Sequence, residues 1–178
     1  MIFPDSLGRP LRLLALDVDG VLTDGIIHID GAGTEHKRFH VGDGMGIRLL
    51  LDAGLKVGLI SARNSPAVTR RAQELGLSFA HQGIHGDKWN CLREEIQRSG
   101  CEPAQCGFMG DDLIDLPVLC RVGLATAPQD ARPEVRQRVH WVAQAAGGRG
   151  AVRELAEKIL LAQGRWEHIV TGFIPVKD

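Results

Sequence analysis

The chain has no tyrosine, and its few phenylalanines and tryptophans bring aromatics to only 4% of 178 residues. That scarcity removes the stacking platforms by which proteins hold single-stranded nucleic acid. Charge of one sign is missing too: 21 Lys+Arg against 22 Asp+Glu leave a formal charge of -1, without the basic footprint that a phosphate backbone demands. Cysteine is sparse. Cys91, Cys101, Cys106 and Cys120 form no C-x-x-C pair, and a chain long enough to bury roughly 70% of its unfolded surface needs no disulfide staples, so reduced thiols are expected. No apolar run reaches bilayer-spanning length, and Met1-Ile2-Phe3-Pro4-Asp5-Ser6 lacks the basic-then-apolar pattern of an export signal. The expectation is a cytoplasmic protein with neither a membrane nor a nucleic acid as partner.

What is present is a globular composition, 44% hydrophobic and 24% charged, at a length that fits one domain over residues 1–178. Leu11 to Leu16 is almost continuously apolar and runs into Asp17-Val18-Asp19-Gly20, the pattern of a strand buried on both faces and closed by a turn. Ile26-Ile27-His28-Ile29 and Glu35-His36-Lys37-Arg38-Phe39 flank the turn-rich Asp30-Gly31-Ala32-Gly33, which predicts a β-hairpin over about 25–40. A helix over Met45–Ala53 then opens an alternation of strands (56–60, 78–81, 106–109, 123–125, 139–142) and helices (66–75, 87–98, 112–120, 132–137, 150–162). Such alternation means βαβ crossovers: an α/β, doubly wound, mainly parallel sheet with helices on both faces, interrupted after its first strand by the hairpin. The apolar residues after 164 (Trp166, Ile169, Val170, Phe173, Ile174) form a tail too short for its own core, expected to cross an interface or stay loose.

Ligands of open parallel sheets bind beyond the carboxyl ends of the strands, so polar residues there carry functional weight. Asp17, Asp19, Asp111 and Asp112 would repel one another unless a hard divalent cation such as Mg²⁺ neutralised them, and Mg²⁺ commonly joins carboxylates to a substrate phosphate. Ser61 can donate a hydrogen bond to a phosphoryl oxygen, and Lys88 supplies a compact positive charge. With these parts Asp17 acts as in-line nucleophile and Asp19 as the acid and base. Other readings stay open. Asp112 and Asp115 open a helix, where capping explains them as well; Arg48 and Arg71 fall within helices, where arginines are usually solvated; Arg149 precedes a helix as either an anion site or an ordinary turn.

Leu14-Ala15-Leu16-Asp17-Val18-Asp19-Gly20-Val21-Leu22-Thr23-Asp24, Ile60-Ser61-Ala62-Arg63, Lys88 and Gly110-Asp111-Asp112-Leu113-Ile114-Asp115 resemble the four motifs of haloacid dehalogenase superfamily phosphatases. More narrowly, Phe39-His40-Val41-Gly42-Asp43-Gly44-Met45-Gly46-Ile47 and Gly147-Gly148-Arg149-Gly150-Ala151-Val152-Arg153-Glu154 resemble the 3-deoxy-D-manno-octulosonate 8-phosphate phosphatase family, over about Leu11–Gly164. The resemblance implies a Rossmann-like fold without a large cap domain, Mg²⁺ held by Asp17, Asp19 (through its backbone carbonyl) and Asp111, and Asp17, Asp19, Ser61 and Lys88 as the catalytic set. It also places His40, Val41, Gly42, Asp43, Gly44, Arg48, Arg63 and Arg71, with Asp19 and Lys88, near the sugar-acid phosphate. Arg63 is matched to the substrate carboxylate, which a guanidinium can grip in bidentate fashion.

Three departures from the family pattern stand out: Ser61-Ala62-Arg63 replaces the commoner Thr-Gly-Arg, Gly42 stands where a basic residue is often found and His40 where an amide is common, and the residues after Gly164 do not match. The implied assembly is a homotetramer whose hairpin helps cover a neighbour's site, and the implied role is in lipopolysaccharide biosynthesis. The alternatives are a phosphatase for a nine-carbon keto-deoxy sugar phosphate, a non-catalytic assembly module of a sialate-activating enzyme, and a phospho-accepting receiver domain.

Overall fold

The computed structural model describes residues 2–175. In chain order it contains α1 (Asp5–Gly8), β1 (Leu13–Leu16), β2 (His28–Ile29), β3 (Glu35–His36), α2 (Val41–Asp52), β4 (Lys56–Ile60), α3 (Pro66–Leu75), β5 (Phe79–His81), α4 (Lys88–Arg98), β6 (Cys106–Met109), α5 (Leu116–Leu119), β7 (Leu124–Ala127), α6 (Pro133–Arg136), β8 (Trp141–Val142), α7 (Ala151–Ala162) and α8 (Trp166–Gly172). Six strands form one sheet in the order β5-β4-β1-β6-β7-β8, and every pairing in it is parallel. β1 is therefore the switch point: the chain winds outward to β4 and β5 on one side, then returns to β6, β7 and β8 on the other.

Burial follows from the period-two alternation of a strand. Leu14 and Leu16 face one layer with Ile47 and Leu50 of α2 and Leu155 and Ile159 of α7; Leu13 and Ala15 face the other with Leu92 and Ile96 of α4 and Val118 and Leu119 of α5. All four β1 residues are wholly buried, as a strand covered on both faces requires. The doubly wound expectation is met, and the expected hairpin after the first strand is present as the separate antiparallel pair β2–β3. Its turn is held by the Asp30 carboxylate, which accepts the N–H groups of Ala32 and Thr34 at 2.9 Å each.

Several boundaries differ from expectation for physical reasons. α2 begins at Val41 rather than Met45, because Gly42 and Gly44 weaken the local helix signal while tertiary packing holds the turn: a Cβ on Gly44 would lie 2.2 Å from the Arg71 guanidinium. The helix expected over 112–120 is a 3-10 turn, Leu113–Asp115, followed by the short α5 with Pro117 in its first turn. α1 and α8 are additional. Instead of remaining loose, the tail turns back as α8, where Trp166 and Ile169 pack on the core and the Arg153 guanidinium stacks on the Trp166 ring at 5.6 Å. Phe173 and Ile174 stay exposed. Residues 176–178 of the expected tail lie outside the described residues. The four cysteines are free thiols.

Candidate active site

Strand register brings the polar motifs together. Leu16 pairs with Leu59 on one side and Met109 on the other, so Asp17, Ile60 and Gly110 follow at one level, and Asp19, Ser61 and Asp111 lie within the next two positions. Asp17 still donates its N–H to Met109 O at 3.0 Å, which ties the carboxylate to the rigid sheet. Gly20 turns the chain away at φ +87°, and a Cβ there would fall 2.1 Å from Asp111 Oδ2. Only glycine allows this loop to approach the Asp111 carboxylate.

Lys88, the first residue of α4, is the charge centre. Its side chain is 2% exposed, and Nζ lies 2.7 Å from both Asp17 Oδ2 and Asp115 Oδ1. Burial pulls the ammonium down, but Asp17 and Asp115 outweigh it, so the pKa is raised and the group stays charged. The other Asp115 oxygen accepts the N–H groups of Asp111 (3.0 Å) and Asp112 (3.3 Å). Asp112 in turn accepts from its neighbour Leu113, as a cap. Burial, then the Asp115 charge, pushes the Asp17 carboxyl up to about 7; burial, then Asp17 and Asp115, pushes Asp111 up to about 8. One lysine thus serves a site with more negative charge than it can neutralise.

A second group surrounds Asp19. Its Oδ1 accepts a hydrogen bond from Lys37 Nζ, and Arg63 Nε lies 3.9 Å from Oδ2. Glu35 joins both cations, with Oε1 at 3.1 Å from Lys37 Nζ and Oε2 accepting from Arg63 at 2.5 Å. The Arg63 bond, foremost, draws the Glu35 carboxyl below its ordinary range. Ser61 is buried, and its hydroxyl oxygen accepts the Arg63 N–H at 3.2 Å while leaving the O–H free to donate.

Comparison with known proteins settles the family. The 3-deoxy-D-manno-octulosonate 8-phosphate phosphatase KdsC of Yersinia pestis is 43% identical over 88% of this chain and 83% of its own length, and that of Escherichia coli K12 is 43% identical over 87% and 82%. This chain belongs to the 3-deoxy-D-manno-octulosonate 8-phosphate phosphatase family. A crystal structure from Moraxella catarrhalis of a phosphatase of that name, in complex with a magnesium ion, a phosphate ion and a KDO molecule, superposes with a TM-score of 0.93 at 36% identity, covering 96% of this chain and 97% of that one. No protein-family model matches the chain.

In this family setting, the aspartates fit Mg²⁺ by their own chemistry. Asp17, Asp111 and Asp115 can each bring a carboxylate oxygen within 4.8 Å of the others. Hydrogen-bond accounting separates them: both Asp115 oxygens are engaged, whereas Asp111 Oδ1 is buried without a partner. A buried carboxylate oxygen with no donor is costly unless a cation serves it. Asp111 thus has the free oxygen, Asp17 faces it with its own oxygens held by the Val18 N–H and Lys88, and Asp115 holds Lys88 and the loop in place. Among the described residues no N–H donates to the Asp19 backbone carbonyl, which leaves it free as a further hard donor.

The remaining family-matched positions form a separate group on α2 and α3. Val41 is exposed, and His40 Nδ1 lies 3.7 Å from Asp43 Oδ2. The Asp43 carboxylate is buried and accepts the N–H groups of Gly150 (3.2 Å) and Arg153 (2.8 Å), so its side chain closes the start of α7. A Cβ at Gly42 would meet the His40 ring at 2.9 Å, so these two departures from the family pattern accommodate each other. Arg71 covers Gly44, stacks on Phe39 at 5.9 Å and reaches Glu74 at 3.4 Å; Arg48 donates to Leu75 O at 3.1 Å and faces Asp52. Among the described residues, none of these side chains bonds to Asp17, Asp19 or Asp111.

Sequence reasoning missed Glu35 and Lys37, and weighed Asp115 only as a cap. A signal existed: positions 35 and 37 share one face of an extended strand, so a hairpin folded over the site delivers both charges together. Asp24 fixes the turn into the hairpin, accepting Ile26 N–H at 3.3 Å and the Arg38 guanidinium at 2.5 Å.

Proposed function

We propose that this chain is a Mg²⁺-dependent phosphatase that hydrolyses 3-deoxy-D-manno-octulosonate 8-phosphate to the free sugar acid and phosphate. The observation that carries the reading is the cluster itself: Asp17 at the switch point, bound to buried Lys88 and facing Asp111, whose free oxygen is fit for a cation. The substrate comes from the family and from the Moraxella catarrhalis complex with magnesium, phosphate and KDO.

An Asp17 oxygen attacks phosphorus; the bond to the sugar oxygen breaks, and Asp19 gives that oxygen a proton. Water then attacks the aspartyl-phosphate, Asp19 takes its proton, and phosphate leaves. Lys88 holds Asp17 in line and offsets phosphoryl charge, and the Ser61 hydroxyl donates to a phosphoryl oxygen. Mg²⁺, held by Asp17, Asp111 and the Asp19 carbonyl, supplies charge neutralisation at the phosphoryl group. Arg63, half-exposed at the rim, takes the sugar's carboxylate, with the start of α2, Arg48 and Arg71 contributing to the wider substrate surface. The product is a building block for lipopolysaccharide. The proposed setting is the cytoplasm, in keeping with the lack, among the described residues, of any helix long and apolar enough to cross a membrane.

Phosphate release from 3-deoxy-D-manno-octulosonate 8-phosphate, with Mg²⁺ and with chelator, beside a panel including a nine-carbon homologue, tests this. Selective, Mg²⁺-dependent turnover is expected, and Asp17→Asn is expected to lower it by three orders of magnitude or more while leaving circular dichroism unchanged. A preference for the nine-carbon compound would replace the substrate; residual activity in Asp17→Asn would remove the nucleophile from its role.

A further inference from the structure

We infer that Lys37, delivered by the hairpin, is a positioning residue that fixes the Asp19 carboxyl for proton transfer; the inference rests on the phosphatase reading above. The Lys37 side chain is only 1% exposed, and a buried ammonium is costly unless it is paired. Its partners are Asp19 Oδ1 and Glu35 Oε1. Glu35 also holds Arg63, whose Nε returns to Asp19 Oδ2 at 3.9 Å, so four side chains close a ring of alternating charge: Asp19, Lys37, Glu35, Arg63.

Asp19 needs this support in a way that Asp17 does not. Asp17 is anchored by the Val18 N–H at 2.7 Å and by Lys88 at 2.7 Å. Asp19 sits in the loop beyond β1, and among the described residues Lys37 provides the one hydrogen bond to its carboxylate. A protonated carboxyl keeps an acceptor oxygen, so Lys37 can hold Oδ1 in either protonation state while Oδ2 carries the proton toward the leaving oxygen. Without Lys37 the carboxyl is free to rotate, and a small misplacement of a reacting group costs about a hundredfold in rate. The ring ties the acid to Arg63, the proposed receptor of the substrate's carboxylate.

The test uses leaving groups. The sugar phosphate expels an alkoxide, which needs a proton as the bond breaks; para-nitrophenyl phosphate expels a phenolate that leaves unprotonated. First-turnover alcohol or phenol release is measured on both with Mg²⁺ present. Lys37→Met is expected to lose about a hundredfold on the sugar phosphate, with KM little changed, and less than about tenfold on the aryl ester. Lys37→Arg, which keeps a charged donor, is expected to recover most of the lost alkyl-ester rate. Equal losses on both substrates, or a Lys37→Met enzyme as fast as wild type on the sugar phosphate, overturn the assignment. Should Lys37→Met fail to fold by circular dichroism, Lys37→Gln takes its place under the same criterion. A wild-type enzyme inactive on the sugar phosphate instead overturns the phosphatase reading, and the inference with it.

Discussion

Asp17 and Asp111 make the stability of the metal-free protein depend on pH. Their folded pKa values, about 7 and about 8, stand above the ordinary 3.8, so between roughly pH 4 and pH 8 the folded state binds more protons than the unfolded one. Stability contributed by these groups is thus full below the unfolded pKa and is lost as pH rises through the folded values. In chelator, the melting temperature is expected to fall from pH 5 to pH 8 by more than it does in an Asp111→Asn variant. A divalent cation that binds only the folded state raises it again, and more at pH 8 than at pH 5, where protons compete for the same oxygens. Thermal melts at both pH values, with and without Mg²⁺, decide this; an Mg²⁺ effect larger at pH 5 would refute a carboxylate-held ion.

The elements show where sequence reasoning reaches and where it stops. β4, β6 and α3 fall at their expected positions because their signals are local: apolar runs with turn residues after them, and Pro66 at the start of a periodic segment closed by Gly76. The site was legible for the same reason, since Asp17, Asp19, Ser61, Lys88 and Asp111 each follow a strand in one α/β alternation. α8 and the two-residue β8 were less so, being fixed by packing: Trp166 gains a helix by lying under Arg153, and Trp141 meets Phe3 edge-on at 5.5 Å. The Lys37 bond spans 18 positions and depends on how the hairpin folds, which no local pattern encodes.

Packing between loops gives a test at the same scale. Gly148 donates its N–H to Val21 O at 2.8 Å, and a Cβ on Gly147 would lie 1.8 Å from Gly20 O, so the turn before α7 rests directly on the loop after β1. Gly147→Ala must push that loop, whose Gly20 supports Asp111. A loss of about 1–3 kcal/mol in urea melts is expected, as for other overpacked contacts. A fall in kcat measured where the variant is still fully folded is expected beside it. Gly172→Ala, in α8 with open space around it, is the control and leaves both quantities near wild type.

For the molecule as a whole, the hairpin poses a problem that its own chain does not solve. β2 and β3 pair over only two residues each, and Ile26, Ile27 and Ile29 are 53%, 43% and 66% exposed. A two-stranded ribbon is marginal alone, yet this one carries Glu35 and Lys37 to the catalytic cleft. Association of copies through the hairpin, as the family resemblance implies, would resolve both facts at once: partner subunits would cover the isoleucines and so steady the ribbon that carries Lys37 to Asp19. We propose that tetramer as a condition of activity. Ile27→Ser with Ile29→Ser is expected to shift sedimentation from tetramer toward smaller species and to lower turnover, with the loss partly reversed at high protein concentration as mass action restores the assembly. A wild-type chain that sediments as a monomer at full activity would sever the link between assembly and catalysis, leaving the charge ring alone to hold the hairpin in place.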